Sequence, residues 1–214
     1  MKMISVPFIG RDIPSDGLSA FIRNFEKHPV NILNWLNYPY QPVVEFTMAW
    51  SESRLFLYYH VTEDSVMART GEDNGPVWKD SCVEFFVSPG GNGHYYNFEF
   101  NCIGACLLAY GDSRKDREFA GPEILSRIKR VSSLGNKTFE EINGSHEWDL
   151  YIEIPADAFF KHPDFKFRKS LMKGNFYKCG DDLSKPHYLT WSPINTDKPD
   201  YHRPEFFGNI ILNS

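Results

Sequence analysis

Residues 77–101 hold most of the side chains able to read a polar ligand: Trp78, Glu84, Asn97, Glu99 and Asn101. Carboxylates accept hydrogen bonds and carboxamides both donate and accept, which suits a ligand built from hydroxyl groups. An indole adds a flat apolar face that can cover the C–H face of a pyranose, a surface hydrogen bonds cannot use. Trp191 sits in a comparable setting. Gly75-Pro76 lies just before Trp78 and Ser192-Pro193 just after Trp191, and loop–strand junctions of this kind present side chains for binding.

The floor of such a site needs strands. In CVEFFV (82–87), period-two alternation puts Cys82, Glu84 and Phe86 on one face and Val83, Phe85 and Val87 on the other. In YYNFEFN (95–101), Tyr96, Phe98 and Phe100 share one face, and Tyr95, Asn97, Glu99 and Asn101 the other. The Gly-rich stretch from Ser88 to His94 joins them as a hairpin, and a turn near Gly91 sets Glu84 opposite Glu99. Two readings of the polar face stay open: a ligand floor, or a solvated face with cross-strand polar pairs. A Glu facing a Glu is unfavourable unless a cation, a donor or a ligand lies between them.

The remainder reads as further strands: 43–50, 54–61, a short one within 103–110, 128–134, 148–155, 167–179 and 206–212. One helix is predicted near the start, with Leu18, Phe21, Ile22 and Phe25 at helical spacing, Ser15 or Asp16 as cap, and Pro29 as stop. Residues 156–160 read as one helical turn. Strands at short intervals with few helices predict an all-β antiparallel sandwich of immunoglobulin or jelly-roll type. The 214 residues fit a single domain, with 1–40 as an N-terminal extension packed on it. Trp50 and Trp148 are expected in the core, and Trp35 at either the core edge or the site rim.

Composition narrows the function. The formal net charge is −5, from 23 basic and 28 acidic residues, and nucleic-acid binding requires a basic stripe that is absent. No apolar run is long enough to span a membrane. MKMISVPFIG is too short and polar for a signal segment, so the chain as written reads as cytoplasmic, or as periplasmic or extracellular if a leader was removed. Cys82, Cys102, Cys106 and Cys179 form no CxxC pair and the seven histidines no HxH or HExxH pattern. Buried free thiols are therefore expected rather than a metal site. His187 and His202 flank the loop that carries Trp191 and suit a rim, while Arg203 in the same loop suits an ion pair with Glu205 or another carboxylate ahead of donating to a ligand.

Taken together, the blocks HVTEDSVMART, VWKDSCVEFFVSP, HYYNFEFNCIG, NFYKCGD, HYLTWSPI and HRPEFFGNIIL resemble the family 9 carbohydrate-binding modules. The likeness is strongest to stand-alone family 9-like proteins of gut-type bacteria, and it spans roughly residues 40–212. It implies a DOMON-like β-sandwich, a mono- or oligosaccharide ligand, no catalysis, and work beside a glycan-degrading enzyme system. Members clamp a sugar between two tryptophans, so the resemblance implies a sugar ring held between the faces of Trp78 and Trp191, with the matching Glu84 and Asn101 fixing its hydroxyls from below. Some members carry an arginine where this chain has Glu99. Structural calcium occurs in the family, and Glu63 and Asp64 are the candidates here. Two alternatives remain: a glycosidase-like Glu84/Glu99 pair about 5 Å apart across the strands, and haem binding as in distant sandwich relatives, for which Met48, Met67 and Met172 exist without a patterned Met/His pair.

Overall fold

A computed structural model describes residues 2–10 and 17–213. The strands are β1 (Met3–Val6), β2 (His28–Pro29), β3 (Ile32–Leu33), β4 (Val43–Trp50), β5 (Arg54–Ala68), β6 (Cys82–Ser88), β7 (Tyr95–Asn101), β8 (Cys106–Gly111), β9 (Arg117–Phe119), β10 (Lys129–Ser132), β11 (Phe139–Pro155), β12 (Ser170–Cys179), β13 (Tyr188–Thr190) and β14 (Gly208–Leu212). Two short helices, α1 (Leu18–Ile22) and α2 (Pro122–Leu125), accompany them.

These strands form a sandwich of a nine-stranded and a five-stranded sheet. The larger runs β1-β14-β12-β6-β7-β8-β9, with β13 and β3 added beside β12. The smaller runs β10-β11-β5-β4-β2. Every pair is antiparallel except β1 with β14, which is parallel. The expected all-β sandwich is what the chain builds. Residues before 40 are not merely packed on it: β1 and β3 join the large sheet and β2 joins the small one. The caps expected for α1 at Ser15 or Asp16 lie outside the described residues.

The β6–β7 hairpin carries the predicted register, with Glu84 opposite Glu99 and Phe85 opposite Phe98. Gly91 and Gly93 take positive φ in the turn, where a side chain would be strained. Val83, Phe85, Val87, Tyr96, Phe98 and Phe100 face the main core between the sheets. Trp50 and Trp148 lie there too, as expected. A second apolar layer covers the outer face of the large sheet, where Phe86, Tyr95 and Tyr177 pack beneath Trp35, Ile194 and Tyr201. A third places α1 over the outer face of the small sheet, through Leu18 and Ile22 against Phe56 and Tyr151. The sandwich is therefore loop-covered on the face that carries Glu84 and Glu99, not solvated.

A buried ion pair interrupts the core. Lys178 on β12 points inward and is fully buried, with Nζ 2.8 Å from Glu63 Oε2. Its other two protons go to His187 Nε2 at 2.7 Å and the Cys179 carbonyl at 2.9 Å. Trp148 Nε1 donates to the second Glu63 oxygen at 2.7 Å. His187 donates from Nδ1 to the Lys185 carbonyl at 2.9 Å. Burial, then the Lys178 charge, hold its imidazole well below the usual histidine range, so it accepts as a neutral ring.

Candidate functional site

A cavity of about 360 Å³ opens on the outer face of the large sheet. Its floor is Glu84 from β6, Glu99 from β7 and Cys179 from the end of β12. Trp78, Tyr38 and Tyr188 supply aromatic surface. Arg114, Arg117, Asp181, Asp200 and His202 bring charge and hydrogen-bonding capacity around them. The volume is of the order that small-molecule sites occupy.

Trp78 stands on a single 3-10 turn, Val77–Lys79. Val77 is buried and anchors the turn, while Trp78 itself stays half-exposed. Asn101 is the residue that fixes this turn from below. Its Nδ2 donates to Asp80 Oδ2 at 2.9 Å and to the Thr70 carbonyl at 2.7 Å, and its Oδ1 accepts from Ala105 N at 2.9 Å. Asp80 in turn accepts from the backbone of Arg69 and Thr70. Asn101 was expected to touch ligand; it does not line the cavity, and its amide is taken up by Asp80, which caps the Trp78 turn, by the Thr70 carbonyl and by Ala105 N. Asn97 is likewise behind the surface, donating from Nδ2 to Glu99 Oε1 at 2.8 Å.

Trp191 is the larger correction. Its ring is 2% exposed and lies in the main core, edge-on to Phe176 at 5.6 Å. The reason is alternation: Leu189 and Trp191 share the inward face, which leaves Tyr188 to reach the cavity. A second indole face does not meet Trp78, and the aromatic partners in the cavity are tyrosines. Trp35 is buried beneath the wall, with Nε1 donating to the Thr196 carbonyl at 2.9 Å. It braces the 193–201 loop together with Asn34, whose Oδ1 accepts from Ile194 N. Of the flanking residues, His202 lines the cavity, His187 is buried with Lys178, and Arg203 pairs with Glu205 at 2.7 Å.

The two floor carboxyls differ. Burial, then the nearby Glu99 charge, push Glu84 well above the usual carboxylate range, and Cys179 Sγ donates to its Oε1 at 3.1 Å. Burial also raises Glu99, against the opposing pull of Arg117, whose NH1 lies 3.4 Å from Oε1. Burial thus raises both carboxyls, and Arg117 offsets part of that rise at Glu99 alone. Arg117 comes from β9, the far edge of the sheet, so a guanidinium returns to the floor although residue 99 is itself acidic. Asp181 is raised to about 6, chiefly by burial.

The calcium candidates are both engaged elsewhere: Glu63 with Lys178 and Trp148, and Asp64 with Lys185 at 2.6 Å. Met48, Met67 and Met172 are buried away from the cavity. Arg127, Lys129 and Arg130 pair with Asp157, Glu153 and Asp73. No described helix is long and apolar enough to cross a membrane.

The family model for carbohydrate-binding family 9 matches residues 19–212. The chain belongs to this family. As a family 9 protein it has a near relative of known structure, a candidate carbohydrate-binding protein from Bacteroides uniformis ATCC 8492. The two are 42% identical, with 99% of each chain covered and a TM-score of 0.94. Two structures of a family 9 carbohydrate-binding module from Caldicellulosiruptor kristjanssonii share the fold at 15% and 14% identity. The first, in complex with glucose, has a TM-score of 0.63 and covers 99% of this chain and 96% of its own. The second, in complex with cellotriose, has a TM-score of 0.62 and covers 99% and 93%. No curated protein sequence matches.

His202 gives this family 9 site a pH signature. Burial, then Arg117 and Arg114, lower its pKa to about 3, and its Nδ1 accepts from the Tyr95 hydroxyl at 2.7 Å. A histidine whose folded pKa lies below its unfolded value stabilises the fold fully above about pH 6.5 and loses that contribution as pH falls toward 3. Between pH 6.5 and pH 4 the loss reaches at most about 3 kcal/mol. Urea unfolding at a series of pH values should show wild type weakening over this window and His202→Gln weakening much less. Equal slopes for the two proteins would remove His202 as a cause.

Proposed function

We propose that this protein binds a mono- or oligosaccharide in the Trp78 cavity and does not cleave it. The observation that carries this reading is the juxtaposition of the Trp78 indole with a carboxyl floor inside a ligand-sized hollow. The indole covers the C–H face of a sugar ring. The Glu84 and Glu99 carboxyls accept, and donate where protonated, while Arg114 and Arg117 donate. Tyr38 and Tyr188 give further apolar area with polar tips. A site so furnished rejects analogues that leave its buried polar groups unpaired. Glucose and cellotriose, bound by the related family 9 module, are the first ligands to test here.

Calorimetry and tryptophan fluorescence with glucose, cellobiose and cellotriose test the reading. Trp78→Ala should weaken the preferred ligand by about 2 kcal/mol, roughly thirtyfold, and abolish its fluorescence change while leaving the melting temperature nearly unchanged. Unaltered affinity in Trp78→Ala would place the ligand elsewhere.

One observation speaks for a second reading, glycoside cleavage: Glu84 and Glu99 face each other across the strands in different environments, Glu99 beside Arg117 and Glu84 beside the Cys179 thiol, and a retaining glycosidase likewise sets its two carboxyls apart by environment. Binding remains favoured, since Glu99 is committed to Asn97 and Arg117 and Glu84 to the Cys179 thiol. Reducing sugar released by wild type and lost in Glu84→Gln would overturn the non-catalytic reading.

A further inference from the structure

Two of the four cysteines meet across the large sheet. The β6–β12 register sets Cys82 directly opposite Cys179, and both side chains point to the outer face. Glu84, two residues after Cys82, shares that face. The two sulfurs and a Glu84 carboxylate oxygen lie within 4.8 Å of one another. We propose that Cys82, Cys179 and Glu84 form a three-ligand site for a thiophilic divalent cation of the Zn²⁺ class, set in the floor of the cavity.

The geometry suits such an ion. Tetrahedral zinc with bonds of about 2.3 Å to sulfur and about 2.1 Å to oxygen holds its ligand atoms roughly 3.5–3.8 Å apart. Small side-chain rotations inside the 4.8 Å envelope reach that spacing. The strands fix all three Cα positions, so little order has to be imposed on binding. Glu84 and Cys179 line the cavity, which gives the ion access and leaves its fourth position facing the hollow, where water or a sugar hydroxyl can sit. Two thiolates and one carboxylate select against calcium, which takes six to eight oxygen ligands.

Without a metal the two thiols hydrogen-bond to each other. Cys82 Sγ also reaches its neighbour's carbonyl, Val83 O, at 3.7 Å, and Cys179 Sγ reaches Glu84 Oε1 and the Trp78 carbonyl. Burial pushes the Cys82 thiol up to about 12 and Cys179 well above its ordinary value. Both are therefore protonated in the empty site. Each passes its proton to solvent as its sulfur takes the ion, and Glu84 does the same where it is protonated. No electron transfer is involved. Cys102 and Cys106, buried elsewhere, have no carboxylate partner within such a cluster among the described residues.

The test uses the full chain, reduced and kept free of oxygen, titrated with Co²⁺ as a coloured substitute for Zn²⁺. The expected result is a thiolate-to-metal charge-transfer band saturating at one equivalent, bleached by one equivalent of Zn²⁺ and untouched by excess Ca²⁺. Cys82→Ser and Cys179→Ser should each abolish the band, and Glu84→Gln should weaken Zn²⁺ at least tenfold against a chromophoric chelator. The wild-type spectrum decides the matter even if a variant fails to fold. No charge-transfer band, or a band that persists in a folded Cys82→Ser/Cys179→Ser protein, overturns the proposal. Because the readout needs no sugar, it can fail while carbohydrate binding stands, and the reverse.

Discussion

Trp191→Ala should cost about 3–5 kcal/mol of stability, the range for deleting a large aromatic from a packed core. For a domain of this length that is a fall in melting temperature of roughly 6–20 °C. The ring is enclosed by the main core and meets Phe176 edge-on. It also occupies the space beside Gly208, where a Cβ would lie 2.3 Å from the indole. Packing of this kind leaves a cavity that the strands cannot close. The contrast with Trp78 makes the experiment decisive, since its removal should spare the melting temperature and remove the sugar response. Thermal melts of the two alanine variants side by side check both. If Trp191→Ala melted like wild type, the core assignment would be wrong.

Lys178→Met carries the second large effect. The ammonium group spends all three protons on Glu63, His187 and the Cys179 carbonyl, in a place with no water access. Removing it strands the Glu63 carboxylate in the core, and breaking a buried pair from one side costs about 3–5 kcal/mol. Adding Glu63→Gln should recover much of that loss, because the uncompensated charge disappears while the Trp148 indole keeps an acceptor. A double-mutant cycle by urea denaturation measures the coupling. Two single variants whose costs simply add would show that Lys178 and Glu63 do not stabilise each other.

Much of the fold was legible because the strands that make the floor are long and alternate cleanly. CVEFF and YYNFEFN gave faces, pairing and the Glu84–Glu99 opposition, all of which the coordinates reproduce. β2 and β3 were missed since two residues carry no period. The family match and the Ser192-Pro193 junction both favour an exposed Trp191, but alternation along Tyr188-Leu189-Thr190-Trp191 sets it beside Leu189, on the face the structure turns inward. Tyr38, Arg114 and Arg117 had no local pattern to mark them. They reach the cavity only because the sheet edge and remote loops fold over it. The meeting of Cys82 with Cys179 follows from strand order, which spacing rules for metal motifs do not encode. Asn97 and Asn101 were placed on the correct face, but their burial depends on cover supplied by other parts of the chain.

The parallel pairing of β1 with β14 has a consequence for the order of assembly. β1 finds its partner in β14, some two hundred residues later, and β12, which joins β14 to β6, is made well after β6 and β7. Non-local pairings of this kind carry the full entropy of loop closure before any contact repays it, which favours slow folding. A nascent chain that has made β6 and β7 holds Glu84 and Glu99 but lacks Cys179, Asp181 and Tyr188. The cavity floor is thus completed only when β12 pairs with the hairpin, and until the sheets close, its inner face, with Val83, Phe85, Phe98 and Phe100, is apolar surface in need of protection.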